Sequence, residues 1–379
     1  MSINYYAALK DVPGDSSASI AQPLARRGFE LGWIVEGLRP DMPDTQTVVD
    51  HWKQDRAVML PGLLDLTPFV PSIEQAHRLM NTTLKTEELA SQLDLSPYIE
   101  QLKNRLPLVA SVIEEHDDQG IEKVYFDAEV DGEVVAEDLW CKASWLSFHD
   151  EDASLRFRFS FGMEGYEDVA ADPNRQSWAG ALCDGLFPES AAITENETIN
   201  GLLRQSLDAK AAYVERIVYF NAPNGGAQMH HDVERGHDGV VFAQMSGSTF
   251  WLALAKPLLM DELAAFVGDE KSGDAISSVL AAETDRAELA ALMKNRQSMS
   301  DYLEEYDHEL LEAVMDRLPE FTAHLIAKGY AHLLHAGDVL LLPQRDLDHC
   351  VWHSVFCLGD EPGEALSFAV RRETQASAT

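Results

Sequence analysis

Short runs in which apolar and polar residues alternate recur from Leu155 to Arg371, and one long helical stretch interrupts them; nothing else constrains the fold of this chain as strongly. Leu155, Phe157, Phe159 and Phe161 alternate with Arg156, Arg158 and Ser160, the two-residue period of a strand with one buried face. VERIVYF sets Val214, Arg216, Val218 and Phe220 against Glu215, Ile217 and Tyr219, then runs into the turn that starts at Asn221. Further strands read as GVVFAQM, TFWLALA, AHLLHA, DVLLLP, CVWHSVF and ALSFAVR. From Pro257 to about Lys328 the period changes, because Leu303, Tyr306, Leu310, Leu311, Val314 and Leu318 recur at three and four residues. The pattern predicts an antiparallel β-rich body with a helical insertion over about residues 258–330, far longer than an ordinary loop.

Upstream the signals are weaker. Residues 1–45 are rich in Pro, Gly, Asp and Ser and predict an irregular arm. A helix ending near Lys53 and a short buried strand through Val58 and Leu60 follow, then helical patterning from Ile73 to about Ile113, interrupted at Pro97 and Pro107. KVYFDAEV and EVVAEDL flank Asp131-Gly132, a dipeptide that tolerates the positive φ of a hairpin turn. The chain therefore divides into residues 1–120, arm and mainly helical, and 121–379, the β-rich domain with its insertion.

Composition limits the partners. Across 379 residues, 29 Lys and Arg against 64 Asp and Glu give a formal net charge of −35, which excludes general nucleic-acid binding and disfavours anionic membrane surfaces. A cationic small molecule or basic polypeptide is the class this charge favours. Hydrophobic residues make up 46% of the chain, enough for a large core. Cys141, Cys183, Cys350 and Cys357 show no paired spacing and read as buried thiols. With no signal-peptide pattern and no apolar run of spanning length, a cytoplasmic protein is expected.

His230-His231-Asp232 contains H-x-D. In an extended strand, residues two apart share a face, so His230 and Asp232 can aim an imidazole and a carboxylate at one point. One more histidine from a distant strand would make the two-histidine, one-carboxylate facial triad of non-haem iron oxygenases. The surroundings carry a resemblance. GDVLLLPQRDLDHCVWHSVFCLGDEPGEALSFAVR, with Gly337, Asp338, Pro343, Trp352, His353 and Val355, resembles the closing strands of cupin-like, Jumonji-C-type Fe(II)- and 2-oxoglutarate-dependent oxygenases. The H-x-D strand with the following Gln244, Gly247 and Trp251, and the segment HWKQDRAVMLPGLL, are similar to the same family, so the likeness covers roughly residues 47–70 and 214–372.

The resemblance implies a mainly β fold with α elements: a double-stranded β-helix (jelly-roll or cupin barrel) with an N-terminal α/β region and a helical insertion. It implies a dioxygenase, a hydroxylase of a small molecule, amino acid or peptide side chain, with Fe(II) held by His230, Asp232 and His353 and 2-oxoglutarate as co-substrate. His349 meets one family spacing and His353 another; pleating cannot choose between them, because both odd-numbered residues face the same way. The family's lysine for the distal carboxylate of 2-oxoglutarate is replaced by Thr249, which leaves Arg371, on the inward alternation from Ser367 through Ala369, as the substitute cation. Without that lysine, a metal-dependent cupin dioxygenase or isomerase that does not use 2-oxoglutarate is the alternative, and a non-catalytic acidic binding protein is a third. His231 faces away from His230; His237 and Asp238 read as a loop, His149 with Asp150 and Glu151 as a polar hairpin tip, and His332 and His335 as structural. Arg156 and Arg158 read as a solvent face, and the acidic stretch Asp301, Glu304, Glu305 and Asp307 as a helix face that steers a cation only if it overhangs the metal.

Overall fold

A computed structural model describes residues 5–14, 21–26, 28–86, 89–106, 108–109, 114–116, 122–145, 156–164, 172–234, 236–305 and 308–373. His149, Asp150, Glu151, Leu155, Tyr306 and Asp307 lie outside the described residues, as does the side chain of Arg156. Where the arm was expected to be irregular, β1 (Tyr6–Leu9), β2 (Ala21–Arg26) and β3 (Phe29–Glu36) pair as a small antiparallel sheet in the order β1-β3-β2. Pro23 and the bulge after it break the alternation that would have announced β2.

Helix α1 (Thr45–Lys53) starts at Asp44, whose carboxylate accepts from Thr47 N at 2.8 Å, and it buries Val48, Val49 and Trp52. Next come β4 (Val58–Leu60), α2 (Val70–Thr86), α3 (Leu89–Leu93), α4 (Tyr98–Arg105) and the short strands β5 (Leu108–Val109) and β6 (Glu114–His116). β7 (Glu122–Val130) and β8 (Glu133–Trp145) form the expected hairpin, with Asp131 and Gly132 at φ 54° and 84°. β9 (Arg156–Met163) pairs with β8. Helices α5 (Pro173–Leu186), α6 (Ala191–Thr194) and α7 (Glu197–Leu207) precede the main body.

Eight strands build that body: β10 (Ala211–Asn221), β11 (Gly226–His230), β12 (Gly239–Gln244), β13 (Ser248–Ala255), β14 (Ala331–His335), β15 (Val339–Asp346), β16 (His349–Leu358) and β17 (Gly363–Arg372). They pair antiparallel as β10-β17-β12-β15 and β11-β16-β13-β14. Counted from β10, these are the orders 1-8-3-6 and 2-7-4-5 of a jelly roll. β15 and β16 link the two sheets near Gln344 and Cys350, while β9, β8 and β7 extend the first sheet beyond β10.

Alternation along these strands separates three apolar layers. Val218, Phe220, Val241, Leu341, Leu366 and Phe368 pack outward under α2 to α7. Val240, Phe242, Trp251, Leu340, Val355 and Ala365 pack between the sheets. Phe250, Leu252, Leu254, Trp352 and Phe356 pack outward under the insertion, which consists of α8 (Lys256–Gly268), α9 (Gly273–Val279), α10 (Glu283–Leu292), α11 (Arg296–Leu303), α12 (Glu309–Arg317) and α13 (Pro319–Lys328). Gly226, at φ +147°, lets β11 approach β16, because a Cβ there would overlap the carbonyl oxygen of Val355. Fully buried Asp338 ties the N-terminal region to the body by accepting from Gly62 N at 2.6 Å, His335 N at 2.8 Å and Arg39.

One buried pair should make stability depend on pH. Glu189 and Glu364 have no exposed surface, and no hydrogen bond of ordinary geometry reaches either carboxyl among the described residues. Burial pushes both up, Glu364 well above the usual range, with the Glu189 carboxyl raising it further. His77, 3.9 Å from Glu364 and bonded to Ser246 Oγ at 2.8 Å, is itself pushed down by burial and so offers little positive charge. A carboxyl raised on folding contributes stability that is complete below about pH 4.3 and lost as pH climbs through the raised value. Glu364→Gln should therefore match the wild type near pH 4.5 and become progressively more stable than it towards alkaline pH. Urea midpoints with the same pH slope in both proteins would sink this reading.

Candidate metal centre

The register of β11 on β16 sets His230 directly opposite His353, with ring centroids 4.3 Å apart. Asp232, two residues past the first histidine, closes the group. Its Oδ1 lies 3.5 Å from His230 Nε2 and its Oδ2 3.4 Å from His353 Nε2. One ligand atom from each of the three can lie within 4.8 Å of the other two.

Backbone carbonyls lie beside both Nδ1 atoms. His230 Nδ1 lies 2.7 Å from Gln228 O and His353 Nδ1 3.4 Å from Val351 O. A carbonyl only accepts, so these contacts are satisfied by the Nδ1–H tautomer, in which each Nε2 presents a lone pair beside Asp232 for a metal. Two imidazole lone pairs and a carboxylate suit a divalent first-row metal, so the residues fit the ion. His353 is 2% exposed, whereas the side chains of His230 and Asp232 are 39% and 38% exposed. A metal here would be gripped from the protein side and left open on the other.

The segment is braced from behind. Buried Asp316 of α12 accepts from Met229 N at 2.9 Å and from Arg26 Nη2 at 2.5 Å, and Arg26 Nη1 donates to Ala227 O at 2.8 Å. Glu304 accepts from Lys256 Nζ at 2.6 Å and from His231 Nε2 at 2.9 Å, and His231 Nδ1 accepts from Val233 N at 3.1 Å. His231 also stands edge-on to Trp352. His231 is thus an anchor facing the insertion, and Glu304, expected on a solvated acidic face, is committed to holding it.

Inside the body, Trp251 stacks on His353 with centroids 5.2 Å apart and packs edge-on against Phe242 at 4.6 Å. Buried Thr249 donates to Gln244 Oε1 at 2.7 Å and accepts from Trp251 Nε1 at 2.9 Å. That network is neutral and internally satisfied, so position 249 offers no cation to a carboxylate. Arg371 is half-buried and lines a cavity with Tyr213 and Arg216, its guanidinium close to Gly236 in the loop after Asp232. His349 is exposed and paired with Asp346 at 2.8 Å, apart from the triad. His335 bonds Ser248 at 3.0 Å, and burial pushes the His332 imidazole down to about 4. Arg158, expected on a solvent face, is partly buried and donates to Ser144 Oγ at 3.1 Å.

Sequence reasoning missed a second group, in which ligand atoms of Glu215, Glu234 and His237 lie within 4.8 Å of one another. Burial, then the charges of Glu234 and Asp232, raise Glu215 to about 7 against the pull of Arg158. Alternation on β10 placed Glu215 on the face of Ile217 and Tyr219, but His237 carried no periodic signal. A turn in which His237 N donates to Glu234 O at 3.1 Å buries it, and Asp238 pairs with Arg372, so this loop is not the solvated one expected.

A jelly-roll strand order with two histidines from β11 and β16 and one carboxylate from the loop just after β11 defines a candidate mononuclear metal centre. No family model matches the chain, and no curated protein matches it. Among solved structures it is similar to an oxidoreductase of the 2OG-Fe(II) oxygenase family from Burkholderia pseudomallei, at 10% identity over 89% of this chain and 96% of that one, with a TM-score of 0.32. It is similar as well to YcfD, a ribosomal oxygenase from Escherichia coli (13% identity, 86% and 51% covered, TM-score 0.30), and to AviO1 from Streptomyces viridochromogenes Tue57 (10%, 90% and 100%, TM-score 0.36). No helix among the described residues is long and apolar enough to cross a membrane.

Proposed function

We propose that the chain is a non-haem Fe(II)-dependent oxygenase on a double-stranded β-helix, acting as a hydroxylase. The observation that carries this is the converging His230, Asp232 and His353 set, with both Nε2 atoms turned to the carboxylate. Bound Fe(II) would supply O2 activation at the open face. The chain's own residues set a backbone carbonyl beside each Nδ1 that would hold a proton there, bury His353 under Trp251, and brace the H-x-D segment through Asp316 and Glu304.

For the co-substrate, 2-oxoglutarate bound in the family manner would need Arg371 to take its distal carboxylate. The residues at the inner position do not fit that group, since Thr249 is neutral and bonded to Gln244 and Trp251. This network favours the second reading, a metal-dependent dioxygenase or isomerase that works without 2-oxoglutarate. The Glu234 carboxylate lies near Asp232, beside a Glu215 raised to about 7 that ionises fully only above that pH, and the two support a cationic group on the substrate, whether small molecule or peptide.

Anaerobic titration with Fe(II) and then 2-oxoglutarate separates the readings. One equivalent of iron followed by a visible charge-transfer band supports 2-oxoglutarate use, and iron uptake with no band supports the second reading. If the chain takes up no iron, both enzyme readings fail.

A further inference from the structure

The first sheet holds a second concavity, which takes no part in holding the metal and has Arg371 in common with the co-substrate reading above. A cavity of about 580 Å³ lies where α5 and α7 cover the start of β10 and the end of β17. Its lining includes Arg204, Lys210, Arg216 and Arg371, against the single carboxylate of Glu373. In a chain with 29 cations and 64 anions, four cations around one cavity depart sharply from the overall balance. Two of the four are neutralised: Arg216 by Asp184 and the carbonyl of Gly180, and Lys210 by Glu373 at 2.6 Å. Arg204 and Arg371 have neither an acidic partner nor a hydrogen bond among the described residues.

The neutral wall is already satisfied. Tyr213 donates its hydroxyl to Asn200 Oδ1 at 3.0 Å, Asn200 Nδ2 donates to Thr194 O at 3.0 Å, and Gln176 donates to Tyr213 O. A register shift between Tyr213 and Glu215 separates the two sides of the sheet here, with Tyr213 among the cavity residues and Glu215 beside the acidic group. What the cavity leaves free is therefore guanidinium, in a volume suited to a small molecule. A guanidinium fork matches phosphate oxygens two at a time, and unpaired positive charge in a strongly acidic protein selects for an anion.

We propose that this cavity binds a phosphate-bearing small molecule, independently of the metal centre. The test is isothermal titration of the full chain, metal-loaded, with phenyl phosphate, and in parallel with glutarate, at fixed ionic strength. The expected result is one saturable equivalent of phenyl phosphate, weakened at least about tenfold by Arg204→Gln, the loss expected for a hydrogen bond to a charged group. Arg204 is exposed and unpartnered, so the melting temperature of that variant should not move. Asp232→Ala should keep the site while losing the metal, which separates this proposal from the oxygenase reading. Saturable binding of glutarate alone, no saturable binding of phenyl phosphate at millimolar concentration, or binding that Arg204→Gln leaves intact would each overturn it.

Discussion

Asp232→Ala should lower Fe(II) affinity by more than about 100-fold, because losing even an outer partner of a metal ligand costs 10- to 100-fold. Asp232 is the residue that faces both histidines, one oxygen towards each Nε2, so its removal leaves two imidazoles and takes away the triad's own charge against a dication. His353→Ala should have an effect of the same order and also strip the stacking partner from Trp251. His349→Ala should bind iron like the wild type, since His349 is exposed and held by Asp346. Anaerobic iron titration of the three variants decides the matter. Full binding in His353→Ala together with loss in His349→Ala would falsify the assignment of the third ligand.

Arg26→Met should destabilise the chain by about 3–5 kcal/mol, the range for breaking one side of a buried ion pair. Arg26 and Asp316 are each 2% exposed, and Asp316 Oδ2 already has no hydrogen-bond partner among the described residues. Burial pushes the Asp316 carboxyl up and the Arg26 guanidinium is the main force pulling it back down, so removing Arg26 leaves a buried acid held chiefly by Met229 N. The double replacement Arg26→Met with Asp316→Leu should recover most of the loss, since well-packed apolar residues can replace a buried pair at little cost. Because the same two side chains hold the backbone of β11 at Ala227 and Met229, iron affinity should fall in the single variant as well. Urea unfolding with a loss below about 1 kcal/mol, or no recovery in the double variant, would show that the pair is not what fixes this strand.

The strands of the body were legible because each buries one face, and burial writes a period of two into the residues; Val240 and Phe242 turn inward while Val241 and Ala243 turn outward. The small N-terminal sheet was not legible. β2 contains Pro23 and a bulge, and β3 contains Gly32, so neither keeps an unbroken alternation. The pair His230 and Asp232 could be read locally, because two residues of one segment share a face. His353 could not be separated from His349 by pleating alone, and only the register of β11 on β16 brings His353 to the first histidine. Glu304, Asp316 and Arg26 brace the site from 73 or more residues away, a relation that no local pattern records. Thr249 was legible as a missing cation; that its hydroxyl is satisfied on both sides depends on the packing of Gln244 and Trp251 around it, which no local pattern records.

The separation between Arg26 and Asp316 has a consequence for assembly in time. They stand 290 positions apart; Arg26 also lies over the Phe356 ring of β16, and β11 and β16 come second and seventh in sequence among the eight strands of the body. During synthesis Arg26 emerges 290 residues before Asp316, so this ion pair forms only once α12 has been made. Contacts of such long range repay their loop-closure entropy only at the end of folding. The strand that carries His230 therefore acquires this brace only after α12 has been made, and any metal bound at the candidate triad would depend on a contact that spans 290 positions.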